Sequence, residues 1–344
     1  LAGKGEPTLA CFDCFAAAPG PFVPRERFKP GEAGGRAERG WWPVEPPTDP
    51  FDAEALDLRG LNEPIAGAAG FVRRDGDRLV LGDGRPVRFW GVNVGPDLVR
   101  LDPVSVRYLA RRLAKCGVNL VRVHGAIHDE RGADPAKPDL AYVARVQAFV
   151  AALRAEGVYA VLSFHFPLWV DVRPAHGLEG YEGQDRNPFA LLFFDARMQA
   201  LWKGWARGLL RTPDPATGRT LAEEPAVAAI EVQNEDSLLF FTFDPGRRIP
   251  LARIEGFERS FAAWLATRHG SCEQALASWG GARRGRDDPA ARRMELMPAW
   301  NLTGAGHGEG GARRRASDQL RFLAAAQRRF HEEAVAYLRE DLGA

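Results

Sequence analysis

Two glycines set the frame of this chain. Gly117 and Gly157 each follow a run with apolar residues at helical spacing. Each is followed at once by an apolar, β-branched run, so helix, glycine and strand recur about 40 residues apart. Val87–Val94, Val118–His124, Val158–His165 and Val227–Gln233 read as strands of the apolar kind that parallel sheets bury on both faces. Between them lie three helical patterns. One opens at Asp102-Pro103 and continues through Val106, Leu109, Leu113 and Cys116; one carries Val143, Val146, Val150 and Leu153; one runs from about Ala196 to Leu210. Alternating strands and helices predict βαβ units with right-handed crossovers, the four strands lying side by side in chain order.

The stretches around these units read differently. Residues 1–68 hold ten of the 25 prolines and little periodicity, which predicts an extended segment, with Trp41 and Trp42 pinning it to the body. In residues 70–89, R-L-V-L and P-V-R-F flank Gly82-Asp83-Gly84, a hairpin expected to cap the bottom of the fold. After the fourth strand, residues 238–316 form an insertion. It has helices near Leu251–Arg268 and Cys272–Trp279, then a glycine- and arginine-rich loop, Gly280–Ala316, whose arginines read as solvated surface. Ser317 then begins a helix with Leu320, Leu323, Gln327, Phe330, Ala334 and Tyr337 on one stripe, stopping at Gly343. The fold class expected is α/β, a (β/α)8 barrel of which 69–344 supply about the first four units, so the chain is expected to be the N-terminal part of a longer protein.

Composition narrows the partners. With 46 Lys and Arg against 45 Asp and Glu, no charge excess calls for nucleic acid or an anionic membrane, and a neutral substrate fits. No run approaches 18 uninterrupted apolar residues, and the N-terminus shows no basic-then-apolar signal segment. Cys11 and Cys14 form a C-x-x-C without the second ligand pair that zinc requires, while Cys116 and Cys272 stand alone, so neither metal nor other cofactor is expected.

The chemistry-bearing groups sit at the strand ends, where barrels of this class keep them. They are Asn93; Arg122 with His124; His165; and Asn234 with Glu235. Asn234 and Glu235 are adjacent, so both can reach one ligand only if the strand's pleat breaks there. Arg122 is a charge inside an apolar strand and needs a partner, either a carboxylate in the barrel interior or Asp129 or Glu130 nearby. His124 and His165 suit hydrogen bonding to substrate hydroxyls, and Trp169, like Trp279 and Trp300, is a candidate stacking platform.

In order along the chain, F-V-R-R-D-G-D-R-L-V-L-G-D-G-R-P-V-R-F-W-G-V-N-V, G-V-N-L-V-R-V-H and T-G-R-T-L-A-E-E-P-A-V-A-A-I-E-V-Q-N-E-D-S resemble the cellulase-like glycoside hydrolases of clan A, family 5 or a close relative. The resemblance runs from about Leu61 onward. It implies that Glu235 is the general acid/base, that Asn234 binds the sugar 2-hydroxyl and that Arg122 supports the nucleophile. The family's nucleophile is a glutamate on a seventh strand, which this chain lacks, so the chain alone is expected not to hydrolyse glycans. Retaining hydrolysis needs two carboxyls about 5 Å apart, one protonated and one ionised. Glu235 would be the protonated one, raised by a negative neighbour and low polarity. The implied substrate is a β-linked polysaccharide or oligosaccharide, and the resemblance leans toward a secreted or periplasmic protein.

Two other readings compete. One is a carbohydrate-binding protein on a barrel scaffold without turnover. The other is a metal hydrolase built on His124, His128 and His165, which would need a carboxylate ligand among them.

Overall fold

The computed structural model describes residues 49–51, 57–128, 132, 134–182, 186–303 and 308–344. Trp41, Trp42, Cys11, Cys14, Asp129 and Glu130 lie outside the described residues.

Two sheets form among the described residues. The first is antiparallel, in the order β1 (Arg73–Asp75), β2 (Arg78–Val80), β3 (Pro86–Val87). Its β2–β3 register pairs Leu79 with Val87 and Val80 with Pro86, which places Gly82-Asp83-Gly84 at the turn, as the sequence predicts. The second is a parallel sheet of four strands in chain order, β4 (Gly91–Val94), β5 (Leu120–His124), β6 (Tyr159–Ser163) and β7 (Val227–Glu231). The first predicted strand is shorter than expected. Val87 belongs to the antiparallel sheet, and residues 88–90 are tied instead by Asn119, which donates from Nδ2 to the Arg88 carbonyl and accepts from the Trp90 amide at 2.7 Å.

The chain divides into two compact units. The first takes the described residues up to Arg122, with Arg145–Val161 and Pro225–Ala228. Helix α1 (Pro96–Val99) leads into α2 (Pro103–Lys115), whose start is fixed by chemistry legible in the sequence. Asp102 accepts hydrogen bonds from the Val104 and Ser105 amides while Pro103 fills the first helical position. Gly117 ends it at φ +78°. The strand beginnings are covered by residues 58–70. Asn62 Nδ2 donates to the Val118 carbonyl at 2.9 Å, and the Ala66 amide to Arg154 at 3.0 Å. Tyr159 accepts from the Gly67 amide and donates to Glu63, and burial raises its phenol. Gly157 is required here, because a Cβ would stand 1.8 Å from the Glu63 carbonyl oxygen. Asp49 is buried between Lys115 and Arg112, with Phe51 against Lys115 and Arg111.

The second unit takes Val123–Ala144, Leu162–Glu224 and Ala229–Ala344. Helix α3 (Leu140–Ala155) begins here and ends in the first unit. Helix α4 (Ala196–Arg211) is N-capped by Asp195 and buries Met198, Leu201, Trp202, Trp205 and Leu209, each worth roughly 1.5–3 kcal/mol or more of apolar burial. Its two tryptophans satisfy their N–H groups, Trp202 on the Val232 carbonyl and Trp205 on that of Pro135.

The insertion corrects the reading from sequence. Beyond α5 (Leu251–His269), α6 (Cys272–Ser278) and α7 (Trp300–Thr303), the last helix, α8, spans Gly310–Ala336, so it starts seven residues before Ser317. A single π turn, Tyr337–Asp341, ends it before Gly343. Arg283, Arg292, Arg313 and Arg314 are exposed, as the sequence predicts, but Arg284, Arg286, Arg293 and Arg315 are not. Arg315, 2% exposed, donates from Nη2 to Asp287 Oδ1 at 2.7 Å and to the Glu295 carbonyl at 2.8 Å. Arg284 pairs with Glu295 at 2.8 Å, and Arg286 pairs with the fully buried Glu258. Burial raises the Asp287 carboxyl, but Arg315 together with the Arg284 and Glu295 amides outweighs it and the net direction is down. Trp279, expected as a possible sugar platform, is enclosed and donates its indole N–H to Asp318 at 2.9 Å. Trp300, by contrast, is 60% exposed.

Candidate functional site

Strand alternation sorts the predicted residues. In β5 Val121 and Val123 are buried on one face, so Arg122 and His124 share the other. In the first unit, Arg122 Nη1 donates to Asn93 Oδ1 on β4 at 2.8 Å.

In the second unit, β7 ends at Glu231 and the chain bends through Val232 and Gln233. The Asn234 amide donates to the His165 carbonyl at 2.9 Å. Glu235 then takes φ +46°, a left-handed conformation that costs a non-glycine residue roughly 1–2 kcal/mol. This is the break in the pleat that two neighbouring side chains need if both are to serve one ligand. Glu235 is exposed, so the low polarity expected around it is found one residue further on. Asp236 is buried, and burial pushes its carboxyl up to about 6, against hydrogen bonds from Thr242 and the Ala190 and Ser237 amides.

The loop that carries Glu235 is held from both sides. Gln233 Nε2 donates to the Asp236 carbonyl at 2.7 Å. From α8, Gln327 Oε1 accepts from both Ser237 Oγ and the Leu238 amide at 3.0 Å. A glutamine on the apolar stripe of the last helix was the sequence signal for this contact.

His124 lies under Trp169, ring centroids 4.4 Å apart, and Phe166 stands edge-on to the same tryptophan at 5.6 Å. Both His124 and Trp169 are half-buried. His165 is enclosed, 2% exposed and 5.5 Å from Trp205, and burial, with His128 nearby, lowers its ring to about 3, so it is neutral. Its visible contribution to the site is the carbonyl that receives Asn234. Among the described residues no group of three or more His, Cys, Asp or Glu side chains is placed to hold a metal ion, and no helix is long and apolar enough to cross a membrane.

Two groups escaped the sequence reading. Glu231 is a charge at the end of an apolar strand, the same signal that singled out Arg122, and Ser163 stands two residues before His165. Ser163 Oγ donates to Glu231 Oε1 at 2.9 Å and lies 2.9 Å from His124 Nδ1.

No family profile and no curated protein sequence matches the chain. Among solved structures it is similar to an endo-1,4-β-mannanase from Rhizomucor miehei, at 15% identity and TM-score 0.39, with 58% of each chain covered. It is also similar to an endo-β-1,4-mannanase from Thermotoga petrophila, at 15% identity and TM-score 0.37, covering 54% of this chain and 41% of that one. A third likeness is to a family 5 mannosidase from Rhizomucor miehei, at 12% identity and TM-score 0.37, covering 76% of this chain and 70% of that one. The chain thus spans 58% and 41% of the lengths of the first two. At these scores the likeness assigns no residue and no substrate here.

Proposed function

We propose that this chain carries the acid/base side of a retaining glycoside hydrolase active site for β-linked polysaccharides or oligosaccharides, built on a (β/α)8 scaffold. The observation that carries the reading is the left-handed turn at Glu235 directly after Asn234, at the end of a parallel strand. In this reading Glu235 protonates the departing sugar oxygen and later activates water. Asn234 hydrogen-bonds the 2-hydroxyl, a contact that strengthens as the oxocarbenium develops. Arg122 is assigned the support of the nucleophile, with Asn93 as a hydrogen-bond partner; in the second unit His124 and Trp169 shape the wall, and the enclosed His165 gives only its carbonyl to the turn. The nucleophilic carboxylate is assigned to no residue of this chain. The alternative, a carbohydrate-binding protein without turnover, uses the same wall and leaves Glu235 idle.

The test is an NMR titration of the 344-residue chain with β-1,4-mannotetraose and cellotetraose, with maltotetraose as the α-linked control. Shifts at the Trp169 indole and at the Asn234 and Glu235 amides with a β-linked ligand alone are expected. No response to either β-linked tetraose would overturn the proposal.

A further inference from the structure

A left-handed non-glycine residue persists only where its surroundings hold it, and the holder of Glu235 that is farthest away in sequence is Gln327. Gln327 lies on the apolar stripe of α8 between the buried Leu323 and Phe330, so an apolar side chain of its length would pack there as well. What a glutamine adds is an acceptor. Its Oε1 takes hydrogen bonds from Ser237 Oγ and from the Leu238 amide, both at 3.0 Å, and a backbone amide only donates, so the orientation of the Gln327 side chain is fixed. Ser237 Oγ in turn accepts from the Leu239 amide at 3.0 Å. Residues 236–238 are tied to α8 a second time through Asp236. Its carboxyl accepts from the Ser237 and Ala190 amides, and Phe193, three residues past Ala190, meets Phe330 of α8 edge-on at 5.5 Å.

We infer that Gln327 is a positioning residue, whose side-chain oxygen, acting through Ser237 and Leu238, holds the left-handed turn that presents Glu235. The inference rests on the proposed function for what Glu235 does there, while the hold on the turn stands apart from it. Burial of Leu238 does not replace the bond. Apolar burial is non-directional and fixes where that side chain sits, whereas a hydrogen bond to the Leu238 amide also fixes how its peptide plane is turned, and so constrains the backbone leading back to residue 235. The last helix of the chain is thereby coupled to the candidate acid/base.

The experiment is NMR on the full 344-residue chain, read at the intraresidue HN–Hα cross-peak of Glu235, which is strong only at positive φ. Wild type is expected to show it. Gln327→Met keeps length and apolar packing but removes the acceptor, and should weaken that cross-peak. Gln327→Glu, which restores an acceptor oxygen, should recover it, a rescue that packing alone does not explain. Ser237→Ala leaves the Leu238 bond in place and should have a smaller effect in the same direction. A weak cross-peak in wild type, or an unchanged one in Gln327→Met, overturns the inference. If Gln327→Met fails to fold, an unchanged cross-peak in Ser237→Ala does so instead. Titration with β-1,4-mannotetraose gives the second readout. Gln327→Met should bind about three- to tenfold more weakly than wild type, the loss of one hydrogen bond from Glu235, and Gln327→Glu should bind as wild type does. Unchanged affinity in a variant whose turn has relaxed overturns the link from Gln327 to the site. A wild-type chain whose turn responds as expected but which binds no β-linked tetraose sinks the glycan reading and leaves the positioning of Glu235 standing.

Discussion

Asp236 Oδ2 accepts the amide hydrogen of Ala190 at 2.8 Å, and Ala190 is itself in the left-handed region at φ +61°. One buried carboxyl thus anchors a second strained backbone position just beyond Glu235. Because its folded pKa, about 6, lies above the ordinary 3.8, the folded state holds this proton more tightly than the unfolded chain does. Its contribution to stability is greatest below about pH 4 and is lost as the pH rises to about 6, a change on the order of 3 kcal/mol. Denaturant melts of wild type and Asp236→Asn across pH 4 to 7 check this. The variant, which keeps an acceptor for Ala190, should lack that slope, and an equal slope in both would refute the assignment.

Glu235→Gln keeps size and hydrogen-bonding capacity but has no proton to give. In a complete enzyme built on this chain, natural glycans with poor leaving groups should lose about 10²- to 10⁴-fold in kcat/KM, and activated aryl glycosides far less in the first step. Equal losses on both substrates would end the acid/base assignment. The side chain is exposed, so the melting temperature should hardly move.

Arg315→Lys should be costly although it keeps the charge. An ammonium cannot reproduce the fork that reaches both Asp287 oxygens and the Glu295 and Ala282 carbonyls. A loss of roughly 3–5 kcal/mol is expected for Arg315→Ala, which leaves Asp287 buried and uncompensated. Replacing both partners with apolar residues should recover part of it, and a double variant as unstable as the single would contradict this account.

Gly157→Ala and Gly76→Ala form a matched pair, since both glycines have positive φ, +71° and +59°. At Gly76 nothing lies within 4 Å of the new Cβ, so only the backbone cost of about 1–2 kcal/mol applies. At Gly157 the Glu63 carbonyl blocks the same atom at 1.8 Å, and the loss should be at least about 3 kcal/mol. Similar losses for the two, by chemical denaturation, would mean that residues 58–70 do not pack as described.

Much of this was legible from local signals. Gly117 and Gly157 punctuated the helices, Asp102 and Pro103 announced α2, and apolar β-branched runs located four strands that do lie side by side in order. What escaped depends on partners distant in sequence. Trp279 looked like a free aromatic because the acceptor of its N–H, Asp318, lies 39 residues on. Arg284, Arg286 and Arg315 looked solvated because hydropathy counts a charge as exposed and cannot see the carboxylate it meets. Of the adjacent carboxyls Glu235 and Asp236, nothing local could say which is buried, since a single left-handed residue decides it. Glu231 was overlooked although it carried the same mark as Arg122, a charge within an apolar strand.

The interior built around Arg315 also bears on how the insertion behaves with temperature. Taking charges out of water becomes less costly on heating, whereas apolar burial per unit area gains little further. The ion-paired attachments of Arg284, Arg286 and Arg315 are therefore expected to lose less on warming than the apolar contacts beside them.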